Sequence, residues 1–225
     1  MKKTVVITGA NRGIGLSLVQ LYQAAGWQVI AVCRASSTEL EASGAQIIER
    51  IDVADPTSIQ QLSQQLAQDL SHTGIDLLIN NAGILRDEVL GEIDYASIQL
   101  QLDINALAPL RITEALQSKL TPGAKVVMIT SRMGSLADNT SGGRYGYRMS
   151  KAALNMAAVS LAHDLQNQQI AVGVIHPGLV GTRMIGGHGD LTPDQAAQQI
   201  SQRIDELTLE NSGSFWHSNG EALPW

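Results

Sequence analysis

The feature that most constrains the fold is a regular alternation of short apolar runs with longer segments of helical periodicity. The runs read as strands at residues 4–8, 28–33, 46–51, 75–80, 124–130, 170–175 and 214–217, and the longer segments read as helices at 14–25, 57–70, 97–120, 147–166 and 193–209. The runs are continuously apolar, which is typical of a parallel sheet covered on both faces. The sequence therefore predicts one α/β domain over residues 1–225, with a doubly wound parallel sheet of about seven strands and helices on both faces.

The composition narrows the classes of function. The single cysteine, Cys33, excludes an intrachain disulfide, and the five histidines show no metal-ligand spacing. The net charge of −6 argues against a nucleic-acid or membrane-surface partner. No apolar run has the length of a membrane span, and the first one is too short for a signal peptide. We therefore expect a cytoplasmic protein with no metal, no nucleic acid and no membrane partner.

A glycine-rich turn, Thr-Gly-Ala-Asn-Arg-Gly-Ile-Gly, follows the first predicted strand. Glycines between a strand and a helix permit a tight turn and a close approach of the backbone to a pyrophosphate, which the N–H groups of the helix then bind. The spacing is wider than G-x-G-x-x-G, and an ordinary βα turn also uses glycine. Its place after the first strand favours a dinucleotide site of the Rossmann type. The predicted contacts here are Gly9, Asn11, Arg12, Gly13, Ile14 and Gly15.

The end of the second predicted strand indicates which dinucleotide would bind. NAD sites usually place an acidic residue there, to bind the ribose 2′-hydroxyl, but this strand ends Cys33-Arg34-Ala35-Ser36. The Arg34 guanidinium suits a 2′-phosphate, and Arg12 would add a second positive charge. Both are equally compatible with solvated surface arginines. The residues favour NADPH (or NADP⁺) over NADH, with NAD(H) still possible.

Two further predicted strand ends carry candidate cofactor contacts. Asp52, beside Val53, is placed to accept a hydrogen bond from an adenine amino group, although a capping or turn role explains it as well. Asn80-Asn81-Ala82-Gly83 ends the fourth strand, and its side-chain amides would tie adjacent strands together. The small Ala82 and Gly83 would leave room for a ribose, and a plain turn is the alternative.

Two candidate catalytic residues lie in the fourth predicted helix, at residues 147–166. Tyr147 and Lys151 are four apart in a helix and share a face. An ammonium about 4 Å away would lower the phenol pKa by up to about 3 units, towards the range of an acid–base catalyst. Ser131 at a strand end would hold a carbonyl oxygen, or simply cap a turn. Asn105 would hold a water that relays protons, or would bond to the backbone.

Taken together, these motifs resemble the short-chain dehydrogenase/reductase family over nearly the whole chain, and within it the branch that contains C-factor and sniffer. The resemblance implies hydride transfer to a small ketone, aldehyde or quinone, with Tyr147 as proton donor, Ser131 and Lys151 beside it, and Asn105 in a proton relay. It implies that Pro177, Val180 and Thr182 hold the nicotinamide carboxamide, and that the protein forms a homodimer or homotetramer. Residues 183–190 are short and glycine-rich, so we expect an open substrate site.

The C-factor resemblance leaves a second class of function open. A dinucleotide-binding signalling or regulatory protein, in which turnover is secondary, shares the same motifs. A sugar-nucleotide epimerase fits less well, because the chain is short for the added substrate domain and its glycine spacing differs.

Overall fold

The computed structural model describes residues 2–70 and 73–225 and contains one seven-stranded sheet. All strands are parallel, in the order β3-β2-β1-β4-β5-β6-β7. The strands are β1 (Thr4–Thr8), β2 (Gln28–Val32), β3 (Gln46–Ile48), β4 (Ile75–Asn80), β5 (Leu120–Ile129), β6 (Ala171–His176) and β7 (Phe215–His217). The predicted single-domain, doubly wound fold is confirmed.

Helices cover both faces of this sheet. They are α1 (Gly13–Ala24), α2 (Thr38–Glu41), α3 (Pro56–Asp69), α4 (Tyr95–Leu102), α5 (Ala108–Leu116), α6 (Tyr145–Leu165) and α7 (Pro193–Glu206). A π-helical turn, Asp103–Leu107, joins α4 to α5, and single 3₁₀ turns lie at Gln117–Lys119, Arg132–Gly134, Gln166–Gln168 and Arg183–Ile185. Helix α2 was not predicted, since one turn is too short for a periodic signal.

The core consists of two layers, one on each face of the sheet. Alternate residues of β5 show the division: Val126 and Met128 face a layer with Leu62 of α3 and Leu154 of α6. Val127 and Ile129 face the other layer, built on α1 and α7. The strands carry apolar side chains on both faces because both are covered, which explains the continuous apolar runs in the sequence.

The prediction of one continuous helix over residues 97–120 is wrong. The helix begins at Tyr95, widens into the π turn at Asp103–Leu107, and resumes as α5 at Ala108. Pro109 is the second residue of α5 and has no N–H to donate to a carbonyl of the preceding π turn. The last predicted turn is 3₁₀, and β5 already begins at Leu120 rather than at residue 124.

Other predicted boundaries shift by smaller amounts. Strand β3 ends at Ile48 instead of residue 51, because Arg50 has a left-handed φ of 62° that a regular strand does not allow. Helix α6 begins at Tyr145, two residues before the predicted start, so Tyr147 lies in its first turn. Most remaining ends agree within one or two residues, and α7 stops at Glu206, short of residue 209. No helix within residues 2–70 and 73–225 combines the length and apolarity needed to cross a membrane.

Candidate active site

The carboxyl ends of the strands meet at one edge of the sheet, and the order of strands reverses between β1 and β4. Ligands of doubly wound sheets bind in the crevice at such a switch point. The segments that leave β1 to β6 at this edge bring the predicted residues to one side of the molecule. They are Gly9, Asn11, Arg12, Gly13, Ile14, Gly15, Arg34, Asp52, Val53, Asn80, Ala82, Gly83, Ser131, Pro177, Val180 and Thr182.

The glycine turn after β1 has a geometry that only glycine permits. Gly9 and Gly13 have φ of 64° and 53°, in the left-handed region. A Cβ on Gly15 would lie 2.2 Å from the carbonyl oxygen of Gly9, so the first turn of α1 packs directly on the loop. Arg12 occupies the N-cap position and makes no side-chain capping hydrogen bond. The first N–H groups of α1 are therefore free of a side-chain acceptor and suited to an anion.

The side chains around the predicted 2′-phosphate position are mixed in charge. Arg12 and Arg34 are exposed, and neither pairs with a carboxylate in the described residues. Asn11 donates from Nδ2 to the carbonyl oxygen of Ala35 at 2.9 Å, which ties the glycine turn to the end of β2. The Glu49 carboxylate accepts a hydrogen bond from the N–H of Ser36. This carboxylate, bonded two residues after Arg34 along the chain, was not predicted from the sequence.

Of the two asparagines whose amides were expected to tie adjacent strands together, Asn81 makes the link between β1 and β4. Asn81 donates from Nδ2 to the carbonyl oxygens of Thr8 and Gly9, at 3.0 and 3.1 Å. The Thr8 hydroxyl accepts from the N–H groups of Asn81 and Ala82. Asn80 instead donates to Thr113 Oγ1 of α5 at 3.3 Å. Successive residues of a strand point to opposite faces, so neighbouring asparagines have different partners.

Asp52 and Val53 form a local turn after β3. Oδ1 of Asp52 accepts from the N–H of Ala54 at 3.0 Å, and Val53 is buried in the core layer that includes α3. The turn role and the predicted adenine contact both remain compatible with this geometry, because the second carboxylate oxygen has no protein partner within the described residues.

Ser131, Tyr147 and Lys151 are all buried at the carboxyl edge of β5. Ser131 caps the 3₁₀ turn Arg132–Gly134, and its Oγ accepts from the N–H of Met133 at 3.1 Å. Nζ of Lys151 lies 5.8 Å from the centroid of the Tyr147 ring and donates to the carbonyl oxygen of Ile129 at 2.9 Å. Gly134 sits against α6, where a Cβ would lie 2.7 Å from the carbonyl carbon of Lys151.

Burial shifts both titratable groups towards their neutral forms. It raises the pKa of Tyr147, while a hydrogen bond with Ser131 and the charge of Arg144 act to lower it. It lowers the pKa of Lys151 to about 8. Desolvation is the largest effect on the phenol, and the lowering of its pKa by a charged Lys151 stays a prediction.

Asn105 lies in the π turn, fully buried, with its amide bonded to protein groups. Its Oδ1 accepts from the N–H of Ile84, and its Nδ2 donates to the carbonyl oxygen of Ile84, both at 2.8 Å. Nδ2 also donates to Ser150 Oγ at 3.0 Å, and that hydroxyl donates to the carbonyl oxygen of Tyr147. Most of these contacts are hydrogen bonds to the backbone, which was the alternative to a water-holding role for Asn105. A Cβ on Gly83 would lie 3.2 Å from Asn105 Oδ1 and 3.8 Å from Lys151 Nζ, so the two groups face the same space.

The segment after β6 forms the opposite wall. Pro177 is half-buried and Val180 is buried. A Cβ on Gly13 would lie 3.3 Å from Cγ2 of Thr182, so this wall reaches the glycine turn. Residues 183–190 fold back on their own segment, with the N–H of Gly187 bonded to the carbonyl oxygen of Thr182 at 2.9 Å. They are mostly exposed, consistent with the predicted open site.

A pair of histidines at the same edge was not predicted. The rings of His176 and His217 meet edge to face, with centroids 4.9 Å apart. The pKa of His176 is lowered to about 3, mainly by burial and to a smaller extent by the neighbouring His217. This ring is therefore neutral at ordinary pH. Within the described part of the chain, no three His, Cys, Asp or Glu residues are grouped to hold a metal ion.

The sequence model of the family described as short chain dehydrogenase matches residues 3–192. The chain belongs to this family. A short-chain dehydrogenase of this kind is an oxidoreductase that binds a nicotinamide dinucleotide, and the seven-stranded sheet with its glycine turn is the corresponding fold.

Two relatives of this short-chain dehydrogenase have names that describe different roles, one an enzyme and the other a signal. The 1-hydroxy-2-glutathionyl-2-methyl-3-butene dehydrogenase of Rhodococcus sp. (strain AD45) is 40% identical over an alignment of 226 positions, which covers 99% of each chain. The C-signal protein of Myxococcus xanthus is 46% identical over 154 residues, covering 67% of this chain and 93% of that protein.

Solved structures of carbonyl reductases superpose over the full length of this short-chain dehydrogenase. Carbonyl reductase Sniffer of D. melanogaster has a TM-score of 0.92 at 30% identity and covers 100% of both chains. The NADPH-bound carbonyl reductase from chicken fatty liver has a TM-score of 0.91 at 29% identity, covering 100% of this chain and 99% of that chain. The predicted resemblance to the sniffer and C-factor branch is confirmed.

Proposed function

We propose that this oxidoreductase uses NADPH to reduce a small carbonyl compound, with Tyr147 as the proton donor. The observation that carries the proposal is the burial of Ser131, Tyr147 and Lys151 together, at the edge of the sheet where the glycine turn leaves β1. A dinucleotide bound along that edge would supply the hydride.

The residues at the switch point fit a dinucleotide. The glycine turn is a cradle that side chains would fill, since the Cβ of a residue at Gly9 would lie 2.8 Å from Cα of Ala82. The uncapped N-terminus of α1 offers N–H groups to a pyrophosphate. Pro177, Val180 and Thr182 on the opposite wall would hold the nicotinamide carboxamide.

The roles of the buried side chains follow from their chemistry. The Ser131 hydroxyl would hold the carbonyl oxygen of the substrate. A phenol whose pKa is raised by burial keeps its proton at neutral pH, which suits Tyr147 as the donor to that oxygen. Lys151 would bind a ribose hydroxyl and, in its protonated form, stabilise the phenolate left behind. Asn105 would position Ser150 and the helix that carries Tyr147.

The preference for NADPH rests on charge at the end of β2. Arg12 and Arg34 are exposed and free of carboxylate partners in the described residues, so both guanidinium groups are available to a 2′-phosphate. The carbonyl reductase from chicken fatty liver was solved with NADPH bound. Glu49 opposes this preference locally, and NADH therefore stays a secondary cofactor in the proposal.

The proposed substrate is a small ketone, aldehyde or quinone. The segment after Thr182 folds back on its own backbone, with the N–H of Asp190 bonded to the carbonyl oxygen of Leu179 at 2.8 Å. Residues 183–190 are mostly exposed, so the proposed site admits more than one substrate shape. We also propose a homodimer or homotetramer in the cytoplasm, which sedimentation and cell fractionation would test.

A second candidate is a regulatory protein that binds the dinucleotide, because the match to the C-signal protein of Myxococcus xanthus covers 67% of the chain. The buried Ser131, Tyr147 and Lys151 favour turnover, although an enzyme can also have a signalling role. A deletion strain complemented with Tyr147→Phe separates the two, since a purely regulatory protein keeps its phenotype without the phenol.

The deciding experiment follows the loss of reduced-nicotinamide absorbance with diketones, quinones and aldehydes, using NADPH and NADH in parallel. We expect turnover with NADPH, and a fall in kcat of about 10²- to 10⁴-fold in Tyr147→Phe. Tyr145→Phe, two residues away in the same helix, is the matched control and should stay close to wild type. Tight NADPH binding without turnover on any carbonyl would instead favour the regulatory function.

A further inference from the structure

Helix α6, which carries Tyr147, begins without a capping side chain of its own. Arg144 occupies the N-cap position in a left-handed conformation, with φ of 49°, and makes no side-chain capping hydrogen bond. The first N–H groups of a helix have no acceptor inside the helix. One of them, the N–H of Gly146, donates to Oε2 of Glu88 at 3.0 Å. Glu88 belongs to the segment after β4, and it supplies the missing cap one residue before Tyr147.

The Glu88 carboxylate is buried and fully partnered. Glu88 is only 4% exposed, and burying a carboxylate is costly unless hydrogen-bond donors surround it. Its Oε1 accepts hydrogen bonds from Nε2 of Gln101 and, at 3.3 Å, from Oγ of Ser97. Both donors lie on α4. With the N–H of Gly146 these make three donors, and the positive end of the α6 dipole adds to them.

Gly146 allows this contact because it has no side chain. A Cβ at this position would lie 2.5 Å from Nε2 of Gln101 and 2.9 Å from Oε1 of Glu88. Both distances are below any normal contact, so a larger residue would push the start of α6 away from the carboxylate. The hydrogen bond between the N–H of Gly146 and Glu88 therefore depends both on the carboxylate and on the lack of a side chain at position 146.

The same network continues past Tyr147. Gln101 and Asn105 are four residues apart, and both hold the segment after β4: Gln101 Oε1 accepts from the N–H of Arg86 at 3.0 Å, and Asn105 binds Ile84. Through Ser150, Asn105 also reaches the carbonyl oxygen of Tyr147. The first turn of α6 is thus held on both sides of the phenol-bearing residue.

We propose that Glu88 is a positioning residue: its buried carboxylate, held by α4, caps α6 and fixes the Tyr147 phenol relative to Ser131. Glu88 does not itself touch the reacting atoms. The catalytic part of this inference rests on the proposed carbonyl reduction. The structural part, that Glu88 orders the first turn of α6, stands on the contacts alone.

Glu88→Gln is the sharpest test, because it keeps the shape and replaces one acceptor oxygen by an NH₂ group that cannot accept. We expect kcat to fall by about ten-fold or more, with KM for NADPH within about three-fold of wild type. We also expect hydrogen exchange at the amides of residues 145–150 to become about ten-fold faster. Asp55→Ala is the matched control, since Asp55 caps the distant α3 through the N–H groups of Thr57 and Ser58.

The control should lower the unfolding midpoint while leaving kcat and exchange in α6 unchanged. A kcat of Glu88→Gln within about two-fold of wild type would overturn the proposal, as would a fall in kcat that Asp55→Ala shares. If wild type reduces no carbonyl at all, the proposed function fails, and exchange at residues 145–150 still decides whether Glu88 orders the helix.

Discussion

At the scale of single residues, the site combines two buried groups whose charged forms the protein disfavours. Burial raises the pKa of Tyr147 and lowers that of Lys151 to about 8. The phenol is therefore a protonated donor at neutral pH, and the lysine is poised near the range in which it changes charge. The electrostatic help that Lys151 gives Tyr147 depends on pH, since a neutral amine does not stabilise a phenolate.

We expect this lysine to make stability depend on pH. Its folded-state pKa of about 8 lies below the ordinary 10.5, so the unfolded chain binds the proton more tightly between these values, and stability rises with pH in that window. Compared with Lys151→Met, wild type should gain on the order of 3 kcal/mol in free energy of unfolding from about pH 8 to pH 10.5. Urea unfolding of both proteins at several pH values measures the difference. A difference that stays constant with pH would contradict the prediction.

Cofactor preference also belongs to single residues. Arg34→Ala should lower the ratio of kcat/KM with NADPH to that with NADH by about ten-fold or more, because it removes a charged partner of the 2′-phosphate. Glu49→Gln should raise the same ratio by a few-fold, since the carboxylate on the N–H of Ser36 repels a phosphate. Glu39→Gln, an exposed charge on α2, is the control and should leave the ratio unchanged. A lower ratio in Glu49→Gln would show that Glu49 acts in another way.

At the scale of elements, the alternation of apolar runs and helical segments was enough to predict the sheet and most helices. It did not predict the π turn at Asp103–Leu107, because that turn is coupled to the bonds between Asn105 and Ile84, which are distant in sequence. It also did not distinguish Asn80 from Asn81 as the residue that links the strands, since the face on which a side chain lies depends on strand register. The network of Glu88 was missed because the buried location of this acid depends on tertiary packing.

The close packing of the turn Arg132–Gly134 on α6 leads to a prediction for these two elements. Gly134→Ala should displace α6 at Lys151, since the added Cβ would lie 2.7 Å from the backbone of that residue. We expect kcat to fall by about ten-fold or more. Ala153→Gly, on the exposed side of α6, should cost about 1 kcal/mol of stability with little effect on kcat. Equal losses of kcat in the two variants would show that helix stability, rather than packing at Lys151, matters.

At the scale of the whole molecule, α4, the π turn and α6 each expose large apolar side chains. Leu100 of α4, Leu107 of the π turn, and Met149 and Met156 of α6 are all exposed, Met156 at 69%. Large exposed apolar patches mark interaction sites. The family resemblance implies a homodimer or homotetramer, and these exposed side chains support that proposal.

We expect the double variant Leu107→Glu, Met156→Glu to sediment as a monomer of 24.0 kDa, whereas wild type sediments as a dimer or tetramer. Buried glutamates without partners would oppose association. Leu136→Glu is the control, because Leu136 is 79% exposed and lies after β5, outside these helices. A wild-type protein that is already monomeric at micromolar concentration would contradict the prediction.

The π turn at Asp103–Leu107 also bears on how such a chain tolerates insertions and deletions. A π turn holds more residues than an α turn, so α4 and α5 are out of phase with an uninterrupted helix. Deleting one residue within this turn would restore a continuous α-helix and leave the faces of α5 nearly where they are, because a π turn absorbs one extra residue without turning the helix that follows. Thr113 would then stay close to Asn80, and Gln101 would keep its place. A deletion within α5 itself would instead rotate the residues after it by about 100°, so an alignment that places a one-residue gap outside the π turn would pair core residues with surface residues.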